Sequence, residues 1–91
     1  MVRWSPGKDR VLRSTRGVSF QQIADAIISG DYLDILENPN RPGQDIFVLR
    51  IQGYTWVVPF VIDNDDTIFL KTAYPSRKFH KRYGGDDERK G

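Results

Sequence analysis

An α+β fold is predicted by three features of this 91-residue chain. Apolar residues recur at helical spacing behind serine and proline starts in the first third. Short β-branched and aromatic runs follow, each bounded by Gly, Pro, Asn or Asp. These runs connect as hairpins, with no strand–helix–strand unit that would demand a parallel sheet. The expected order is α-α-β-β-β-β-α, with a four-stranded antiparallel sheet. One domain spans residues 1–85, and residues 86–91 form a flexible tail.

The elements follow in chain order. Pro6 suits a first helical turn, with Ser5 as its N-cap. Val11 and Leu12 then point inward, Lys8, Arg10 and Arg13 largely outward, and Gly17 ends the helix in a left-handed cap. Ser19 with Gln22 reads as a capping box, with Val18 at the staple position. Phe20, Ile23, Ala24, Ile27 and Ile28 keep helical spacing until Gly30. Residues 32–36 form a short strand, and the run from Asn38 to Gly43 is a loop. Strands follow at 46–51, 54–62 and 67–73, with Gln52-Gly53 as a tight turn. Pro59 removes one ladder donor and so marks an edge position or a bulge. Asp63 to Asp66 form a turn and lack the spacing of a calcium loop. Ser76 caps a last helix that runs to Tyr83 and stops at Gly84-Gly85.

A two-residue turn pairs Ile51 with Tyr54, Leu49 with Trp56 and Phe47 with Val58. If Asp63 and Asp66 close the next turn, Phe60 faces Phe69 and Val58 faces Lys71. One sheet face then carries Phe47, Leu49, Tyr54, Trp56, Phe60, Phe69 and Lys71. It is expected to be a partly open ligand or partner face. The opposite, aliphatic face carries Ile46, Val48, Val57, Val61, Ile68 and Leu70, and is expected under helices. A slip of one residue exchanges the faces of the affected strand.

Charge is distributed unevenly. Residues 1–16 hold Arg3, Lys8, Arg10, Arg13 and Arg16 against Asp9 alone. Residues 76–83 hold Arg77, Lys78, Lys81 and Arg82, the single histidine His80 and two aromatics, without an acid. Residues 17–73 hold three cations against eight acids, so the net +2 conceals a dipolar layout. Two basic ends that meet would grip phosphates, with aromatics to stack on bases. Apart, they would merely solvate helix faces.

Several classes fall away. Without cysteine there is no disulfide and no thiol nucleophile, which fits a reducing cytoplasm. One histidine without a partner at ligand spacing argues against a protein-held zinc ion, and no cofactor is expected. No apolar segment follows the N-terminal charges as a signal peptide would, and the run Trp56 to Ile62 is too short to span a bilayer. A membrane partner is not expected.

Metal-free chemistry on an RNA phosphodiester remains. The 2′-hydroxyl attacks the neighbouring phosphorus, a base takes its proton, cations stabilise the equatorial oxygens, and an acid protonates the leaving 5′-oxygen. Arg77 and Lys71 are natural phosphate clamps. His80 is the side chain that titrates near neutrality, and it shares a helix face with Arg77 and Lys81. Alternatively, His80 is only a solvated helix residue. Phe79 and Tyr83 share another face that suits docking the helix on the core. Trp4 either stacks on a base or caps the core, and Lys8 is a second clamp or a solvated lysine.

The stretch Trp4-(x3)-Lys8-(x3)-Leu12-Arg13-(x2)-Arg16-Gly17-Val18-Ser19-Phe20 resembles the opening signature of the BrnT-type toxins of bacterial type II toxin–antitoxin systems. In that family His-Gly-Val-Ser-Phe enters the second helix. Lys71-Thr72-Ala73-Tyr74-Pro75-Ser76-Arg77-Lys78-(x4)-Tyr83 is similar to the family's Ser-Ala-Arg motif, which leads into a basic helix closing on tyrosine. The resemblance covers about residues 3–83. It implies a RelE-like endoribonuclease that inhibits translation by cutting mRNA, on the ribosome or off it. It also implies a cognate antitoxin, usually of ribbon-helix-helix type, through which alone operator DNA is bound.

Trp4, Lys8, Ser76, Arg77 and Tyr83 occupy motif positions. Arg16 stands where the family has histidine, no alanine separates Ser76 from Arg77, and His80-Lys81-Arg82 replaces a glutamate-bearing stretch. The expected catalytic set is Lys71, Arg77, His80 and Tyr83. The expected RNA-binding set is Trp4, Lys8, Arg13, Arg16, Ser76, Lys78 and Lys81. Two other readings use the same residues: an RNA- or partner-binding module without chemistry, and an adaptor that holds an antitoxin on the aromatic sheet face.

Overall fold

The computed structural model describes residues 1–84, so the expected tail lies outside the described residues. The order is β1 (Val2–Trp4), α1 (Pro6–Arg16), α2 (Phe20–Ile28), β2 (Asp34–Glu37), β3 (Asp45–Ile51), β4 (Tyr54–Ile62), β5 (Ile68–Leu70), β6 (Tyr74–Pro75) and α3 (Arg77–Arg82). The α+β class and all three helices are as expected. The sheet is larger than four strands and is mixed. Its order is β1-β5-β4-β3-β2, with β6 also paired to β4 and β1 parallel to β5. A three-residue strand such as β1 has no periodicity of its own to distinguish it from a basic lead-in.

Local chemistry sets the helix ends. The Ser5 hydroxyl accepts from Lys8 N, and Gly17 sits at φ 69° with its N–H donating to Arg13 O. The Ser19–Gln22 capping box is complete. Asp9 joins the two helices: its carboxylate accepts from Phe20 N at 2.8 Å and pairs with Arg13 at 3.1 Å. Leu12 is buried as expected, whereas Val11 is exposed.

The first hairpin has the expected register, Ile51 with Tyr54, Leu49 with Trp56 and Phe47 with Val58. Gln52 and Gly53 both adopt positive φ, as a type I′ turn requires. The second hairpin is displaced by one residue. Phe60 faces Leu70 and Val61 faces Phe69, not Phe60 with Phe69. The cause is the turn. The Asp63 carboxylate accepts from Asp65 N and Thr67 N, Asp66 enters the left-handed region at φ 60°, and Asp63 N donates to Thr67 O. The loop is therefore longer than a two-residue turn.

The slip moves Ile68 and Leu70 to the Phe60 face, and Phe69 and Lys71 to the Val57 face. The two faces also exchange their expected roles. Phe47, Leu49, Ile51, Trp56, Val58, Phe60 and Leu70 form the main core with Leu12 of α1 and Val18, Phe20, Ile23 and Ile27 around α2. The aromatic face is thus covered, because α1 and α2 together bring more apolar surface than α3 does. The aliphatic face forms a smaller core of Ile46, Val48 and Val57, on which Leu36, Phe79 and Tyr83 pack. Trp56 is buried in the main core, so the adaptor reading loses its docking face.

Pro59 does mark a bulge, though on the strand opposite. β4 pairs Phe60 with Leu70, then Val57 with Tyr74 and Trp56 with Pro75. Between those pairs, β4 passes two residues and its partner passes three. One extra residue therefore sits in the 71–73 segment. Pro59 still accepts at its carbonyl, from Lys71 N at 2.8 Å.

Candidate nucleic-acid interface

The 71–73 bulge receives a cation from the first basic segment. α1 and α3 lie on opposite faces of the sheet, so their charges do not merge into one surface. Lys8 on α1 reaches the bulge, where its ammonium donates to Lys71 O at 2.8 Å. The Lys71 ammonium lies 5.5 Å from the Phe69 ring centre. A carbonyl that accepts from Lys8 fixes one cation beside the root of a second. The 38–44 loop closes over the same end of the sheet, held by Asn38 N–H to Gln44 O and by an Asn38–Gln44 side-chain bond of 3.1 Å.

A cavity of about 360 Å³ results, lined by Lys8, Arg41 and Lys71, by Asn38, Asn40 and Gln44, and by Pro59, Thr72 and Tyr74. It holds three cations, three amides and one aromatic ring, and no carboxylate. Such a lining suits a phosphodiester: cations offset its charge and amides donate to its oxygens. A second cavity of about 580 Å³ adjoins it between α1 and β6, sharing Lys8, Thr72 and Tyr74 and bordered by Arg16.

α3 uses its residues otherwise. Ser76 caps it, accepting from Phe79 N at 3.2 Å and donating its own N–H to Thr55 O. The His80 ring stacks on Tyr54 with centroids 4.0 Å apart. Its Nδ1 accepts from Thr55 N at 3.2 Å and lies 3.0 Å from Thr55 Oγ1. An Nδ1 that accepts places the ring proton on Nε2. Tyr83 donates its hydroxyl to Asp34 Oδ2 at 2.8 Å, and its carbonyl accepts from Arg50 at 3.0 Å. Burial, then the hydrogen bond and charge of Asp34, raise the Tyr83 hydroxyl above its ordinary 10.0, with Arg82 opposing. His80 and Tyr83 therefore hold α3 to the sheet. Arg77, Lys78 and Lys81 are exposed on its outer side, and Lys78 and Arg82 lie against the Phe79 ring.

Of the expected catalytic set, Lys71 is at the bulge, Arg77 is exposed on α3, and His80 and Tyr83 are committed to packing. Of the expected binding set, Lys8 lines both cavities and Arg16 the larger one. Arg13 is paired with Asp9, and Trp4 is half-buried, stacked on Phe20 at 6.2 Å and packed against the core. Ser76 is a cap, and Lys78 and Lys81 face solvent. Arg41, Tyr74 and the three amides belong to the site without having been singled out from sequence. Arg41 lies in a loop, and Tyr74 sits next to a bulge that only strand pairing reveals. Among the described residues, no group of three or more His, Asp or Glu side chains is placed to hold a metal ion, and no helix is long and apolar enough to cross a membrane.

No family model matches the sequence, and no curated protein matches it. Among solved structures, the chain is similar to the ribonuclease toxin BrnT of Brucella abortus, with a TM-score of 0.58 at 14% identity. The match covers 84% of this chain and 97% of the toxin. Despite few shared residues, that likeness gives the chain a BrnT-like fold.

Proposed function

We propose that this chain is the toxin of a type II toxin–antitoxin pair, a metal-independent endoribonuclease that acts on mRNA in the cytoplasm. The observation that carries this reading is the cation-lined, carboxylate-free cavity at the 71–73 bulge of a BrnT-like fold. Lys8, Lys71 and Arg41 clamp the phosphodiester, and Arg77, exposed at the start of α3, acts from outside the cavity. In the step, the 2′-oxygen forms a bond to phosphorus and the bond to the 5′-oxygen breaks. The products are a 2′,3′-cyclic phosphate and a 5′-hydroxyl end. The protein's main contribution is to stabilise the charge on the equatorial oxygens. A DNA-binding antitoxin of ribbon-helix-helix type neutralises the toxin and carries the pair to operator DNA.

The test is induced expression in a bacterial host, reading growth and new 5′ ends on mRNA. Lys8→Ala and Arg77→Ala should each lower cleavage about 100-fold, as loss of one preorganised charge donor does. Growth should recover while circular dichroism shows folded protein. Normal growth with intact mRNA from folded wild-type chain would refute the enzyme. It would favour the second reading, a module that binds RNA without cutting it. One observation favours that alternative: His80, the side chain suited to proton transfer near neutrality, is engaged at Nδ1 with Thr55.

A further inference from the structure

The larger cavity has a different chemistry from the phosphate clamp beside it. Its floor is apolar, made by Leu12, Phe20 and Ala73. Val11 on its wall is 59% exposed, an apolar side chain turned to the opening rather than to the core. Tyr74, 46% exposed, stands at the boundary and lines both cavities, as do Lys8 and Thr72. Arg16 closes the far end, and no carboxylate lines this cavity.

Resting on the ribonuclease reading above, the geometry points to a nucleobase subsite: the α1–β6 cavity takes one unstacked base of single-stranded RNA. The base lies against Tyr74, with one flanking phosphate at Lys8 and Lys71 and the other at Arg16. The shared lining makes the two cavities one track, alternating cation and apolar surface as a nucleotide chain alternates phosphate and base. A volume of about 580 Å³ admits a base with its ribose. A duplex keeps its bases stacked and paired, so only a single strand presents one. Apart from Lys8 and Arg16, which are taken by the phosphates, and the hydroxyl of the stacking Tyr74, the polar side chains of the lining are Ser5, Thr15 and Thr72. Ser5 already caps α1, and Thr15 already donates to Val11 O. Stacking therefore dominates over edge recognition, and preference among bases is weak.

The test compares two labelled oligomers by fluorescence anisotropy on the whole chain. One is a 2′-O-methyl oligouridine, which cannot be cleaved. The other is the same backbone with abasic residues. The wild type should bind the base-bearing oligomer about 10-fold more tightly, within the range that stacking on an aromatic side chain supplies. Tyr74→Ala should bring the base-bearing and abasic oligomers to equal affinity, while Tyr74→Phe keeps the difference. Equal affinity of the wild-type chain for both oligomers would overturn the subsite while leaving the phosphate clamp intact, and would leave the groove to a protein partner. Binding of neither oligomer would overturn the subsite and the clamp together. Loss of the ribonuclease reading is seen separately, as uncut mRNA in expressing cells, because these oligomers do not report on cleavage.

Discussion

α1 and α3 carry similar positive charge, yet the fold uses the two helices differently. α1 sits on the larger core, and its Lys8 crosses to the bulge to fix a carbonyl and line two cavities. α3 is a six-residue helix on the smaller core, tied down by Phe79, His80 and Tyr83, with its cations turned outward. Charge count alone cannot separate these roles, because what matters is which atoms a cation can reach. Lys8 has a fixed acceptor and a concave surface, whereas Lys78 and Arg82 have an aromatic ring and solvent.

The comparison predicts unequal sensitivity of the two faces. Phe20 is 1% exposed within the main core. Phe20→Ala should cost about 3–5 kcal/mol, the usual range for emptying a buried phenylalanine site. Phe79 is only half-buried, so Phe79→Ala should cost about 1–2 kcal/mol, less than a full phenylalanine cavity. Urea unfolding of both variants measures the ratio, and equal losses would show that the cores are not unequal.

His80→Ala sharpens the contrast next. It removes the acceptor for Thr55 N–H and the ring that covers Tyr54. A loss of about 1–3 kcal/mol is expected for a donor left without its partner. Phosphate binding should change little if His80 serves the helix rather than the clamp. A large fall in oligonucleotide affinity, with stability unchanged, would return His80 to the RNA site.

The smallest expected effect is pH-dependent. The Tyr83 hydroxyl is raised above 10.0 in the folded chain, so folding favours its protonated form. Its contribution is fully present below the unfolded value and is lost as pH rises through the folded one. Tyr83→Phe should therefore be less stable than wild type at neutral pH, by about 1 kcal/mol for one hydrogen bond. The gap should narrow as pH climbs above 10. Melting temperatures across that range decide it, and a gap that widens would contradict the Asp34 pairing.

Much of this molecule was legible in its residues. Helix ends written in short-range chemistry, such as Ser5, Gly17 and the Ser19–Gln22 box, appear where expected, because a cap involves atoms within four residues. The first hairpin was legible for the same reason, since a two-residue turn dictates its whole register. Less was legible at the site. Lys8, Arg16 and Lys71 stand out as cations, but their grouping with Arg41 and Tyr74 depends on segments far apart in the chain.

The sequence by itself therefore determined the α+β class, the caps, the first hairpin and the uneven charge, all consequences of local chemistry. Tertiary structure alone decided which sheet face the helices cover, the one-residue slip after Ile62, the parallel β1 and the bulge opposite Pro59. Those choices depend on competition between whole surfaces and on one carboxylate reorganising a turn. Neither leaves a periodic trace in the chain.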